Sequence, residues 1–226
     1  MKVLELFCGT KSIGKSFVKL GCEVISLDND DYHKPDICKS ILDFSVDDLP
    51  KGWKPDIIWA SPPCTTFSVM SNFNYWDFPY PKNSKACINQ AFVLKTLEII
   101  NELKPKYWFI ENPRGLLRKF KFMKQLPRKT VTYCQYGTTY MKPTDIWTNA
   151  TGWIPCKMCK NGDSCHQEAR RGAKTGVQGV KGGIRDTYGW TKEDRVKRAI
   201  IPEKLCDEVA EFCMGLNGKH QEKLID

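Results

Sequence analysis

The sequence predicts a doubly wound α/β fold, with a largely parallel sheet and a small inserted subdomain. Three observations carry this prediction. Short apolar runs alternate with segments of helical periodicity, the pattern of strands joined by crossover helices. Two of the runs, Asp56-Ile57-Ile58-Trp59-Ala60 and Tyr107-Trp108-Phe109-Ile110, are apolar throughout, as strands buried on both faces must be. After Asn149 the composition shifts to Gly, Lys, Arg and Cys with few periodic apolar positions, which marks an insert.

The elements follow in order. Val3 to Phe7 reads as the first strand, Cys8-Gly9-Thr10 as a turn and Ser12 to Leu20 as a helix. Glu23 to Leu27 is the second strand, ending at Asp28. Asp36 to Phe44 is a short strand or turn region, and Ile57 to Ala60 the next strand. Ser68 to Ser84 reads as a long polar and aromatic loop. Cys87 to Leu103 places Ala91, Leu94, Leu97, Ile100 and Leu103 on a shared helical face, and Pro105 follows its end. Tyr107 to Ile110 is a strand and Gly115 to Lys124 a basic helix or turn, before two further strands at Val131–Tyr133 and Asp145–Thr148. Helical periodicity returns from Glu193 to Met214, with a proline at Pro202.

Composition bounds the function. A chain of 226 residues suffices for one sizeable core and a small appendage. Its 35 Lys and Arg against 26 Asp and Glu, a net +9, favour a polyanionic partner. No 18-residue apolar run is present, so no membrane-spanning helix is expected. The chain enters a strand directly after Met1, so no signal or transit peptide is expected. Eleven cysteines in that setting read as reduced thiols rather than a disulfide framework.

The two buried runs end in Ser61-Pro62-Pro63-Cys64 and Glu111-Asn112-Pro113. Both endings fall at the carboxyl edge of the sheet, where open α/β folds place their chemistry. A thiol that attacks and a carboxylic acid that protonates can together activate a weakly electrophilic ring. Gly9-Thr10-Lys11-Ser12-Ile13-Gly14-Lys15-Ser16 also matches the phosphate-binding pattern Gly-x4-Gly-Lys-Ser. The rival reading is therefore a P-loop NTPase using Gly9 to Ser16. Three features weigh against it. Asp28 ends the second strand where a ribose-binding acid belongs. Neither later strand ends in a magnesium-binding Asp. Cys64 and Glu111 have no role in phosphoryl transfer.

Taken in order, these motifs resemble those of the cytosine carbon-5 DNA methyltransferases, notably the compact phage-type members. The resemblance covers residues 1–149 and returns around 195–214. It rests on Leu6-Phe7-Cys8-Gly9, on Ser61-Pro62-Pro63-Cys64-Thr65-Thr66-Phe67-Ser68, on Glu111-Asn112-Pro113, and on Tyr136-Gly137 followed by Lys142-Pro143-Thr144-Asp145-Ile146-Trp147. The chain departs from the family pattern at Lys11 and Ser12, where glycines are usual, and at Thr65, where glutamine is usual. It also departs at Lys142 and Thr144, where arginines are usual.

The resemblance implies a Rossmann-like methyltransferase sheet in three parts. These are a catalytic, cofactor-binding domain over 1–149, a small basic Cys- and Gly-rich target-recognition insert over 150–192, and a C-terminal helix returning to the catalytic domain over 193–226. It implies transfer of a methyl group from S-adenosylmethionine to carbon 5 of cytosine in DNA, through a covalent Cys64 adduct, with Glu111 at ring nitrogen 3 and Lys142 as the local cation. Phe7, Gly9, Asp28 and Pro63 would hold the cofactor, and a further acid near the adenine is Asp36 or Asp43, with spacing to Cys64 favouring Asp43. The partner would be double-stranded DNA whose target base is flipped out, contacted by Ser68 and by the mobile loop that follows it. The protein would act as a monomer in the cytoplasm of a bacterial or phage-infected host, with no membrane partner. A degenerate relative that only binds nucleic acid, or an enzyme acting on RNA, would share these motifs.

In the insert, Cys156, Cys159, Cys165 and His166 have spacing compatible with structural zinc, and Cys134 could replace one of them. Arg170, Arg171, Lys174, Lys181 and Arg185 lie among glycines that let backbone approach phosphates, so this stretch is expected to contact DNA.

Overall fold

The computed structural model of the protein describes residues 1–69, 71–166 and 199–216. Strand β1 (Lys2–Leu6) lies inside a seven-stranded sheet. It pairs in parallel with β2 (Glu23–Asp28) on one side and β4 (Ile57–Ala60) on the other. The short β3 (Ile37–Cys38) extends the β2 side in parallel. Beyond β4 comes β7 (Tyr107–Pro113), again parallel. β9 (Pro143–Thr148) then pairs antiparallel with β7, and β8 (Arg128–Thr132) closes the edge antiparallel to β9. The sheet is thus parallel over five strands and reverses at β7.

Both faces of the parallel part are covered. Val3, Ile57, Trp59 and Phe109 face a core that takes Ile13 and Phe17 from α1 (Ser12–Lys19) and Leu205 and Val209 from α5 (Glu203–Cys213). Their chain neighbours Leu4, Ile58 and Ile110 face the opposite core, against Val93, Ile99 and Leu103 of α3 (Ser84–Leu103). Two-sided burial explains why these strands read as unbroken apolar runs. Helix α3 starts where Asn83 accepts a hydrogen bond from the Ala86 amide at 3.1 Å, and it stops at left-handed Lys104, just before Pro105. α5 begins at Glu203 because Pro202 occupies its N-cap; residues 193–198 of the expected helix lie outside the described residues.

The stretch from Ser68 to Ser84, expected to be a loop, contains one helical turn, α2 (Asn72–Tyr75), and a small hairpin of β5 (Trp76–Asp77) and β6 (Tyr80–Pro81). Trp76 anchors it. Its indole donates to the Thr66 carbonyl at 2.9 Å and its ring meets Phe67 and Phe120 at 5.7 and 4.9 Å. The basic stretch from Gly115 becomes two short turns, the second being α4 (Lys121–Lys124). Ala150 and Trp153 still belong to the core shared with α5, so the start of the insert packs on the main body. Among the described residues, no helix is long and apolar enough to cross a membrane.

The antiparallel edge is held by Asp145. It is fully buried, accepts from Thr130 Oγ1 at 2.8 Å and from Arg118 Nε at 2.8 Å, and is bridged a second time by the same guanidinium. Removing one partner of a buried pair costs several kcal/mol, less when the partner left behind can reach water. Arg118 retains partial exposure. Asp145→Ala should therefore lower unfolding stability by about 3 kcal/mol, measured by urea denaturation followed through tryptophan fluorescence.

Candidate active site

The pairing of Ala60 with Ile110 brings the ends of β4 and β7 side by side. Past this pair the chain runs into Ser61–Cys64 on one side and Glu111–Pro113 on the other. Pro62 and Pro63 have no N–H with which to continue a ladder. The buried Asn112 side chain takes over, its Nδ2 donating to the Pro62 carbonyl at 2.9 Å. Cys64 follows, half-buried, and its carbonyl accepts from the amides of Phe67 and Ser68, each at 3.0 Å. The turn so formed docks on the segment after β7, where the Leu116 amide donates to the Phe67 carbonyl at 2.8 Å. This docking requires Gly115, because a Cβ there would lie 2.3 Å from the Phe67 carbonyl oxygen.

Glu111 is 6% exposed. Burial pushes its carboxyl above the usual range, against the opposing charge of Lys142 and a hydrogen bond from Tyr133. That bond, from the Tyr133 hydroxyl to Glu111 Oε1, is 3.0 Å long. Lys142 Nζ lies 4.5 Å from the centre of the Tyr133 ring. Burial favours the protonated form of this carboxyl, which can hand a proton to a ring nitrogen. Tyr133 was not among the site residues expected from sequence. It sits 22 positions from Glu111, at the end of a different strand, and no motif marks it.

The glycine turn lies at the end of β1. Gly9 is left-handed, with φ +46° and open space where a Cβ would stand. Its amide donates to Asp28 Oδ2 at 2.9 Å, while Asp28 Oδ1 accepts from the Asp30 amide at 3.0 Å. The turn therefore presents bare backbone beside an oriented carboxylate at the end of β2, an arrangement that suits a nucleoside ribose. Phe7 is half-buried, 5.9 Å from Phe92. Gly14 serves differently. It lies inside α1, and its amide donates to the buried Glu5 carboxyl at 3.1 Å. Burial pushes Glu5 up to about 8. An amide committed to an internal acid cannot cradle phosphate, so the P-loop pattern here is coincidental.

Residues 1–130 match the family model of the C-5 cytosine-specific DNA methylases. A protein of Frog virus 3 (isolate Goorha), named "Probable DNA (cytosine-5)-methyltransferase", is 30% identical over 227 residues, covering 94% of this chain and 100% of its own length. The chain belongs to the C-5 cytosine-specific DNA methylase family. Among solved structures, the Entamoeba histolytica methyltransferase EhMeth superposes with a TM-score of 0.55 at 11% identity, over 95% of this chain and 98% of that one. A prophage-encoded E. coli protein described as a DNA modification methyltransferase gives a TM-score of 0.52 at 14% identity, over 71% of this chain and 52% of its own. These two likenesses concern the fold. The family's reaction is methylation of cytosine carbon 5 with S-adenosylmethionine, and nothing supports the NTPase alternative.

The structure explains one departure from the methylase pattern. Lys11 stands where glycine is usual and adopts φ 55°, the left-handed conformation that glycine takes without strain. Its ammonium donates to the Lys34 carbonyl at 2.6 Å, which helps hold it there. Asp36 accepts from the Ser26 amide at 2.9 Å and from the Ser26 hydroxyl at 2.5 Å. It thus ties the loop before β3 to β2, whereas Asp43 is exposed. Pro63 is exposed at the rim. Ser68 pairs with Ser71 at 2.8 Å. Of the loop aromatics, Trp76 is core, while Phe73 and Tyr80 are exposed. Cys159, Cys165 and His166 converge as expected, but Cys134 joins them in place of Cys156. Cys156 is drawn away because its amide donates to the Tyr136 hydroxyl at 2.9 Å and its thiol to Glu208 at 3.8 Å. Arg170, Arg171, Lys174, Lys181 and Arg185 lie outside the described residues.

Two outcomes follow from this geometry. Gly115→Ala should cost about 2 kcal/mol of stability through overpacking against the Phe67 carbonyl, read by urea denaturation. Glu5 has a raised folded-state pKa, so its contribution is complete below pH 4.5 and is lost as pH rises towards about 8. Glu5→Gln should remove that decline, so the variant gains stability relative to the native chain across this window in a pH series of thermal melts.

Proposed function

We propose that this chain methylates carbon 5 of cytosine in double-stranded DNA, using Cys64 as nucleophile and Glu111 as acid. The observation that supports this best is the rim built by β4 and β7, where Asn112 locks the Cys64 turn to the strand carrying a buried, protonatable Glu111. The Cys64 thiolate forms a bond from Sγ to carbon 6 of the flipped cytosine. Glu111 gives its proton to nitrogen 3, which directs the ring's electrons to carbon 5. When bound, S-adenosylmethionine supplies an electrophilic methyl group at that carbon. Loss of the carbon 5 proton to solvent then breaks the Sγ–carbon 6 bond, and nitrogen 3 returns its proton to Glu111.

Gly9, with Asp28 beside it, fits the ribose end of the cofactor, with Phe7, Asp43 and Pro63 around it. Tyr133 and Lys142 tune Glu111 in opposite directions to burial, keeping its proton transferable. Phe73 and Tyr80, exposed on the segment after Cys64, suit stacking on bases. The cations between Arg170 and Arg185 suit salt-dependent phosphate contact. The protein acts as a monomer.

Expression in a bacterial host lacking cytosine methylation should yield 5-methylcytosine with the native chain and none with Cys64→Ser, read by mass spectrometry of hydrolysed DNA. No methylcytosine with the native chain on any DNA offered, or unchanged methylation by Cys64→Ser, would overturn the proposal. Glu111→Gln should lower the single-turnover rate about 10²- to 10⁴-fold.

A further inference from the structure

Away from the rim, Cys134, Cys159, Cys165 and His166 bring their ligand atoms within 4.8 Å of one another. Cys134 Sγ is 3.1 Å from Cys159 Sγ and 3.8 Å from Cys165 Sγ. His166 Nδ1 is 3.3 Å from Cys165 Sγ and 3.7 Å from Cys159 Sγ. Tetrahedral zinc, with bonds of about 2.3 Å to sulfur and 2.0 Å to nitrogen, sets sulfurs about 3.8 Å apart and sulfur about 3.5 Å from nitrogen. The Cys134–Cys165 separation and both sulfur–nitrogen separations lie within about 0.2 Å of these values, and the Cys134–Cys159 separation is about 0.7 Å shorter. They are far longer than the roughly 2.0 Å of a disulfide, and no cysteine of the chain is disulfide-bonded.

Neighbouring polar groups hold two of these ligands in place. Gln135 Nε2 donates to Cys165 Sγ at 3.1 Å, and the Cys159 amide is fixed by the Thr132 hydroxyl at 3.2 Å. Such supporting bonds orient metal ligands. Three thiolates and one imidazole make a closed, soft set, which favours zinc in a structural role over a hard cation. The segment also needs a staple, since Ile154 is 73% exposed and the polar run from Lys160 to Ser164 buries nothing apolar.

We propose that Cys134, Cys159, Cys165 and His166 form a structural zinc centre that staples the 156–166 segment to the turn Tyr133–Tyr136, and so holds Tyr133 against Glu111. Cys156 is not a ligand. The metal joins the insert to the residue beside Tyr133, whose hydroxyl bonds the active-site acid. The centre stands on its own ligand geometry; only its positioning effect on Glu111 rests on the methyltransferase reading.

The test uses the full chain, purified under reducing conditions after growth with zinc. Elemental analysis should find about one zinc per chain, retained in Cys156→Ser and lost in Cys165→Ser and His166→Ala. Cobalt(II) exchanged into the native protein should give tetrahedral d–d bands with thiolate charge transfer. Because this readout needs no substitution, it still decides the matter should a ligand variant fail to fold. Less than about a tenth of a zinc per chain together with an octahedral cobalt spectrum would overturn the centre. Loss of zinc in a folded Cys156→Ser would overturn the ligand set. Metal content is read without methyl transfer, so a zinc-loaded but inactive chain would count against the proposed reaction and not against the centre.

Discussion

Asn112 performs at this site what the backbone cannot. The strand leading to Cys64 is interrupted by two prolines, and the buried Pro62 carbonyl lies beyond the last β4–β7 pair. An acceptor left unpaired there would cost about 1–3 kcal/mol. The Asn112 amide satisfies it, and in doing so fixes the Cys64 turn to β7. Gly115 adds a second tie from the same side by letting the Leu116 amide reach Phe67. Cys64 is thus bracketed by two hydrogen bonds from the segment that carries Glu111. The separation of thiol and acid is set within one short stretch of chain, which is how a site gains rigidity without relying on a loop's own preferences.

The local parts of this arrangement were legible in the sequence. Buried strands announce themselves as apolar runs, and the prolines after Ile57–Ala60 mark the corner where Cys64 stands. Glu111 stands inside β7, which runs three residues past the expected end at Ile110 because Glu111 to Pro113 pair with β9. Helix α3 was legible in extent, although it starts three residues earlier than expected, where Asn83 caps it; its face was misread, because Leu94 is exposed and Val93, Thr96 and Ile99 are buried beside Ile100 and Leu103. What could not be read were contacts between elements. Tyr133 reaches Glu111 across the sheet, Gly115 matters only because of a distant carbonyl, and Cys156 turns to Tyr136 and Glu208 and leaves its place among the cysteines to Cys134. No period or spacing encodes such meetings. The Gly-x4-Gly-Lys-Ser match failed for the same reason: the commitment of Gly14 to Glu5 lies in tertiary packing.

β7 is where the two halves of the sheet meet, parallel to β4 on one side and antiparallel to β9 on the other. This reversal divides the labour of the site. The parallel half supplies the Cys64 corner and the glycine turn, whose positions follow from strand ends and crossover helices. The antiparallel half supplies the environment of the acid, through Tyr133 after β8 and Lys142 before β9. Glu5 meets the same kinds of group in the parallel half: burial pushes it upward, and backbone amides of α1 with the charges of Lys11 and Lys15 oppose the rise. At Glu111 a phenol and an ammonium take those parts. What distinguishes Glu111 is its place, on the strand that Asn112 ties to the Cys64 turn. The antiparallel edge, with its Asp145 network and the cysteine cluster behind Tyr133, is therefore the framework of the acid, as Asn112 and Gly115 are of the thiol.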